Sequence, residues 1–214
     1  MTIEPLIGYN IATSPILPDM AASMMEYWLA GNGVFVRAAR LGLSACIPVS
    51  NCAIAGLPKI APYVQLEYPL VPTHLALEML RRSQAVGERE ILFYLSFVNG
   101  KWQLDIPKQL ATSGSVRPLI PPLGTAYETA LIEIHSHHST NPRFSAIDDI
   151  EESGKFRIFG VLGEIFTRPT LNLRVGIYNH FWQIPASWVF QLPNELSNFV
   201  RPCTWIYPTL ALYP

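Results

Sequence analysis

The first third of this chain consists of short apolar segments separated by proline, glycine and asparagine. These interruptions restrict the secondary structure that the region can form. The runs GVFVRAA, SACIPV and YVQLEYPLV each end at turn-forming residues before a long helix can develop. Segments of this length and composition are typical of β-strands. We therefore predict that residues 1–70 form a β-rich module, because their apolar content is too high for a solvated arm.

One segment, PTHLALEMLRRSQAVG, has the pattern of a helix instead. Its Leu75, Met79 and Leu80 would share one helical face, and Gly87 suits the residue that ends a helix. The proline and threonine at its start suit a first turn. The pattern predicts a helix over residues 73–86.

Later segments predict further strands. The dipeptide Asn99-Gly100 separates two apolar runs and supplies the positive φ angles of a tight hairpin turn. TALIEIHSH, residues 129–137, predicts a buried strand, and FRIFGVLGEIF and LNLRVGIYNHFWQIP continue the strand signal. Residues 193–214 contain several prolines and no clear period, and we assign them to a C-terminal arm.

The composition argues against several classes of partner. Half of the 214 residues are apolar, 14% are charged and the formal net charge is −1, so neither nucleic acid nor an anionic membrane is an expected partner. No apolar run reaches the ~18 residues of a membrane span, and the N-terminus carries no targeting pattern. Cys46, Cys52 and Cys203 lack CxxC spacing. We expect a soluble, unprocessed, cytoplasmic protein, with Cys46 and Cys52 as small buried apolar residues.

The stretch HSHHSTNPRFSAIDD concentrates the polar chemistry of the chain. On a strand, His135 and His137 would point to the same face, so their imidazoles can meet one ion. A catalytic zinc takes about three protein ligands, and Asp148 is the nearest acidic candidate for the third. Ser145 opens the segment SAIDDIEE, which has the form of a capping box, and a cap alone would also explain Ser145 and Asp148.

The complete pattern, His-x-His, seven residues, Ser, two residues and Asp, resembles that of the JAMM metalloproteases, also called the MPN+ or Mov34 type. The resemblance implies a zinc ion held by His135, His137 and Asp148, with water in the open position. It covers roughly residues 71–192 and implies a curved mixed β-sheet flanked by helices. With the N-terminal β-rich extension, the expected fold class is α/β (α+β).

The same resemblance implies the other catalytic roles. The family has a glutamate at the start of the strand that follows the first helix. Glu90, directly before ILFYLSF, matches it best, and Glu88 is the second choice. This carboxylate would carry a proton from the water to the departing amine, and Ser145 would donate a hydrogen bond to the oxyanion. His138, where the family often has proline, is expected at the surface or behind the ligands.

Family members typically hydrolyse an amide after the C-terminus of a ubiquitin-like protein. The complete chain more narrowly resembles the A proteins of bacterial PRTRC cassettes, which pair a ParB-like protein with a ThiF-like one. The segments IAGLPKIAPYVQLEYPLVP and YNHFWQIP contribute to that likeness. ThiF-like proteins adenylate such C-termini. The resemblance therefore implies a zinc isopeptidase that acts on a ubiquitin-like tail, with a ThiF/E1-like protein as a candidate partner.

Other classes of function stay open. A non-catalytic MPN scaffold is one, although scaffold members usually lose metal ligands and this chain keeps three. Another is a different zinc hydrolase: the metallo-β-lactamase pattern needs Asp where Ser139 stands, and the deaminase pattern needs Glu at His137. A third is a structural zinc, which differs from a catalytic one in having no acidic residue beside an open coordination position.

Overall fold

The computed structural model describes residues 5–119 and 126–200, and its fold is built on two large β-sheets. The first sheet contains β1 (Ile7–Ile11), β2 (Met25–Ala30), β3 (Gly33–Arg40), β4 (Leu43–Asn51) and β5 (Tyr63–Leu66), in chain order. β1 is parallel to β2, and the other neighbours are antiparallel. These strands agree with the β-rich region predicted from the sequence.

The second sheet has the strand order β13-β12-β11-β10-β6-β7. Its strands are β6 (Leu92–Val98), β7 (Lys101–Asp105), β10 (Ile132–His137), β11 (Phe156–Gly163), β12 (Thr170–Ile177) and β13 (His180–Ile184). A separate hairpin joins β8 (Gln109–Ala111) to β9 (Val116–Pro118), and β14 (Ser197–Asn198) pairs with β12. Only β10 and β11 are parallel within the main strand order, so the sheet is mixed.

Within residues 5–119 and 126–200, three α-helices accompany the sheets: α1 (Thr73–Ala85), α2 (Ala126–Thr129) and α3 (Ala146–Glu152). The helix predicted over residues 73–86 is confirmed, and the left-handed φ of +69° at Gly87 allows the chain to leave it. None of the helices in the described ranges is long and apolar enough to cross a membrane. The protein is a mixed α+β fold in which strands predominate.

Several local predictions need correction or refinement. The Asn99-Gly100 turn is confirmed, with φ of 51° and 77°. The strand predicted over 129–137 begins only at residue 132, because α2 extends to residue 129 and a two-residue connection follows it. The prediction for Cys52 is wrong: β4 ends one residue earlier, and the side chain is exposed.

The predicted C-terminal arm is partly integrated into the fold. Phe199 donates its N–H to the Leu171 carbonyl oxygen at 3.0 Å, next to the β14–β12 pairing. The start of this region therefore continues the second sheet. The rest of the predicted arm, residues 201–214, lies outside the described residues and includes Cys203.

One hydrophobic core joins the two sheets. Alternate residues of both sheets, together with the buried face of α1, form it, among them Val36, Ala45, Met79, Phe93, Ile132, Ile134, Ile158 and Leu173. Polar contacts cross the same boundary: Tyr27 Oη lies 2.7 Å from His180 Nε2, and Arg40 donates to the Glu128 carbonyl oxygen at 2.9 Å. The N-terminal sheet therefore covers apolar surface that the second sheet cannot leave in water.

Limited proteolysis is expected to leave no stable fragment that begins near residue 71. Removing the N-terminal sheet would expose the shared core, so the remainder should be digested as soon as the first sheet is cut. Mass spectrometry of a time course measures this directly. Rapid loss of residues 1–70 with a persistent remainder would contradict the shared core.

The face of the second sheet opposite the core carries a group of buried or partly buried polar side chains. Because side chains alternate along a strand, the residues between the core positions point to this other side. They include Glu133, His135 and His137 on β10, Arg157 on β11, and Asn172 and Arg174 on β12. Parallel β10 and β11 require a crossover between them, and α3 lies in that crossover.

Candidate metal centre

The two histidines of the centre lie at the C-terminal end of β10, where the alternation of side chains along the strand places both on the same face. His135 and His137 stand two residues apart on the polar face, and their Nε2 atoms are 3.1 Å from each other. His135 is buried, whereas His137 is partly exposed at the strand end. The convergence of imidazoles expected from strand alternation is therefore present.

The loop after β10 folds back over the neighbouring strands and brings α3 to the histidines. Glu164 donates its N–H to the Thr140 carbonyl oxygen at 2.9 Å, and Asn172 Nδ2 donates to the Pro142 carbonyl oxygen at 2.8 Å. The loop passes so close to β11 that a Cβ at Gly163 would lie 2.7 Å from backbone atoms of Thr140 and Pro142. Only glycine allows this approach, which fixes where α3 begins.

Asp148 serves both as a cap and as a neighbour of the histidines. Its Oδ2 accepts the Ser145 N–H at 2.5 Å, and its own N–H donates to Ser145 Oγ at 3.3 Å, which completes the predicted capping box. Its other oxygen, Oδ1, lies 3.2 Å from His135 Nε2. Because the two roles use different carboxylate oxygens, the capping and ligand interpretations are compatible.

The three side chains could hold a metal ion. Their ligand atoms all lie within 4.8 Å of one another. Ligands of a tetrahedral zinc at ~2.0–2.1 Å are separated by about 3.3 Å, close to the observed 3.1 Å between the imidazoles and 3.2 Å from His135 to Asp148. A single hydrogen on His135 Nε2 cannot point at both partners, whereas one cation satisfies all three atoms.

His135 is in the neutral form that metal binding requires. Burial lowers the pKa of His135 to about 4, against the opposing effect of Asp148. The imidazole is therefore neutral at neutral pH and keeps a lone pair, as a metal ligand must. The donor set of two imidazoles and one carboxylate suits zinc-like divalent cations.

Glu90 is the carboxylate that approaches this group. It is 6% exposed, its Oε1 lies 3.9 Å from His137 Nε2, and its N–H is held by the Thr112 carbonyl oxygen at 2.9 Å. Burial, with the nearby carboxylates of Asp148 and Glu151, raises the pKa of Glu90 to about 7. A pKa near the working pH suits a group that both accepts and donates a proton. Glu88, the second choice from the sequence, is exposed at the surface.

A cleft of about 470 Å³ opens over these residues. Its walls contain all five sequence-predicted site residues, namely Glu90, His135, His137, Ser145 and Asp148. Sequence reasoning missed other wall residues, such as Ser113, Tyr127, Glu133, Glu151 and Lys155. Glu133 could have been predicted because it lies two residues before His135 on the same strand and therefore on the same face. Glu151 could have been predicted because it lies three residues after Asp148, which places both on one face of the helix. Sequence alone offers no such signal for Ser113, Tyr127 or Lys155, because long-range packing brings them to the cleft.

His138 is not one of the residues that line the cleft. Its carbonyl oxygen accepts the Ile165 N–H at 2.8 Å, which ties the loop to the chain after β11. Its side chain is partly buried. This position agrees with the expectation that His138 stays outside the ligand group.

Comparison of the sequence with protein-family models and with curated proteins finds no match. The assignment of function therefore depends on the residues and geometry of the cleft.

Proposed function

We propose that this chain is a zinc-dependent JAMM-type metallopeptidase that hydrolyses an amide bond after the C-terminus of a ubiquitin-like protein. The observation that carries the proposal is the meeting of His135, His137 and Asp148 in one cleft with the buried carboxylate of Glu90. A structural metal site would not need that fourth acidic group beside it. The mixed sheet, with α3 in the crossover beside the histidines, is consistent with the curved sheet expected of this family.

Each polar residue then has a defined task. When bound by His135, His137 and Asp148, zinc would lower the pKa of a water toward ~7 and polarise the scissile carbonyl. Glu90 accepts the proton of the attacking water and passes it to the departing amine. Ser145 Oγ, which accepts from the Asp148 N–H, keeps its own hydrogen free to donate to the developing oxyanion.

The proposed substrate follows from the PRTRC-like features of the sequence. A ThiF-like partner would activate the C-terminus of a bacterial ubiquitin-like protein in the cytoplasm, and this chain would release that C-terminus from an amine. An extended tail suits such a cleft because it can pair with strand edges and lead its last residues to the metal. Neither nucleic acid nor a membrane enters this scheme.

A cleavage assay tests the proposal. The zinc-loaded full chain should cut a ubiquitin-like protein fused through its C-terminus to a reporter amine, and a chelator should abolish cleavage until zinc is restored. A fusion with a reversed tail sequence is the matched control and should remain intact. A protein that holds zinc and cuts neither fusion would instead favour the scaffold function.

A further inference from the structure

Helix α3 carries the proposed metal ligand Asp148 but buries no apolar side chain against the rest of the protein. It is only seven residues long, and its buried residues are Asp148 and Glu152, both acidic. Its two isoleucines, Ile147 and Ile150, are 52% and 74% exposed. Short helices depend on tertiary packing for their stability, and α3 has no buried apolar face to provide it. Something other than hydrophobic packing must hold Asp148 in place.

Arg174 provides that attachment from the centre of β12. Its Nε donates to Glu152 Oε2 at 2.7 Å, and its Nη1 donates to Asp149 Oδ1 at 2.6 Å. Its guanidinium lies 3.9 Å from the ring centroids of both Phe144, in the loop before α3, and Phe181, on β13. One buried cation therefore contacts the loop, the sheet and two of the three acidic residues that follow Asp148 in α3, namely Asp149 and Glu152.

We infer that Arg174 is a positioning residue, which holds α3, and with it Asp148, at the distance from His135 that metal binding requires. The inference rests on the metal site of the proposed function. The hydrogen bonds of Arg174 go to Glu152 and Asp149 and not to a ligand atom of that site, so Arg174 positions Asp148 through the helix.

The geometry requires arginine in particular. The planar guanidinium reaches two carboxylates from separate nitrogens while its faces stack on aromatic rings. Lysine keeps the charge but is a compact cation that cannot reproduce this fork. Asn172, two residues earlier on the same face, holds the Pro142 carbonyl oxygen at 2.8 Å, so β12 fastens both ends of the segment that contains Asp148.

The test compares Arg174→Lys with Arg37→Lys in the full-length protein. Arg37 is a matched control because it is also buried, pairs with Glu26 at 2.5 Å and lies 5.3 Å from the Trp28 ring, but it belongs to the N-terminal sheet. Three properties are measured: hydrogen exchange of the α3 amides without metal, zinc affinity, and the visible spectrum with cobalt(II), which reports ligand geometry. Asp149→Asn, at a half-exposed position, is a milder variant in case Arg174→Lys does not fold.

Arg174→Lys should speed exchange of the α3 amides about tenfold or more, weaken zinc binding about 10- to 100-fold and alter the cobalt spectrum. Asp149→Asn should shift the same three properties less, and Arg37→Lys should leave them unchanged. Wild-type values of α3 exchange and zinc affinity in Arg174→Lys would overturn the inference. Faster α3 exchange in a protein whose wild type binds no zinc would support the anchoring of α3 and refute the proposed function.

Discussion

Replacing Glu90 by glutamine is expected to lower single-turnover cleavage by about 10²- to 10⁴-fold, the range usually lost with a positioned acid or base. Glutamine keeps the size and hydrogen-bonding capacity of the side chain but cannot take up the proton. Glu90 lies beside the ligand group, 3.9 Å from His137, so the metal content should stay near one zinc per chain. Catalysis and metal binding should therefore separate at this residue.

Two glutamates serve as controls for that experiment. Glu88→Gln changes an exposed carboxylate two residues away, and Glu151→Gln changes another carboxylate of the cleft wall. Both variants should retain cleavage within a few-fold of the wild type. Loss of activity in only one of them would transfer the proton-carrying role to that residue. Full activity in all three variants would remove the proposed proton shuttle.

Local signals explain the parts of the fold that the sequence predicted well. The Asn99-Gly100 turn and the end of α1 at Gly87 depend on positive φ angles that these residue types favour. The shared face of His135 and His137 follows from strand alternation alone. Each of these features is decided within a few residues of the chain, where sequence patterns are most informative.

Two kinds of feature were not predicted from the sequence: a turn that lacks the usual turn residues, and contacts between residues that are far apart in the chain. The turn between β12 and β13 places Tyr178 at a φ of 55°, and neither Tyr178 nor the following asparagine forms a turn dipeptide with glycine. Nothing near Arg174 in the sequence indicates its pairing with α3, because its partner Glu152 is 22 positions away. The packing of the N-terminal sheet on the second sheet is likewise a property of the assembled core.

The capping box illustrates how a local signal can be correct and still incomplete. SAID predicts a helix start at Ser145, and the cap is present. The cap requires only one oxygen of Asp148, however, and the second oxygen faces His135. The capping box that satisfies backbone N–H groups thus also orients Asp148 toward His135. A substitution that removes one of these two roles and keeps the other can measure their separate contributions.

Asp148→Asn should remove metal binding while preserving the cap. The asparagine carbonyl oxygen can still accept the Ser145 N–H, but the amide can then present only N–H groups and no anionic oxygen to the centre. Losing one of three ligands should weaken zinc binding by more than the ~10- to 100-fold typical of residues behind the ligands. His135→Ala, which removes a ligand from the strand, should release the metal as well.

Ser145→Ala is the reciprocal control, since it removes the hydroxyl that caps α3 and leaves every ligand atom in place. It should cost about 1 kcal/mol of stability and keep near one zinc per chain. Metal analysis and thermal unfolding, each with and without zinc, measure both properties. At 100 times its Kd, zinc stabilises a folded protein by about 2.7 kcal/mol, so it should raise the Tm of the wild type and of Ser145→Ala but not of Asp148→Asn. Unchanged metal content in both Asp148→Asn and His135→Ala would show that the ligands are elsewhere, and that Asp148 is only a cap.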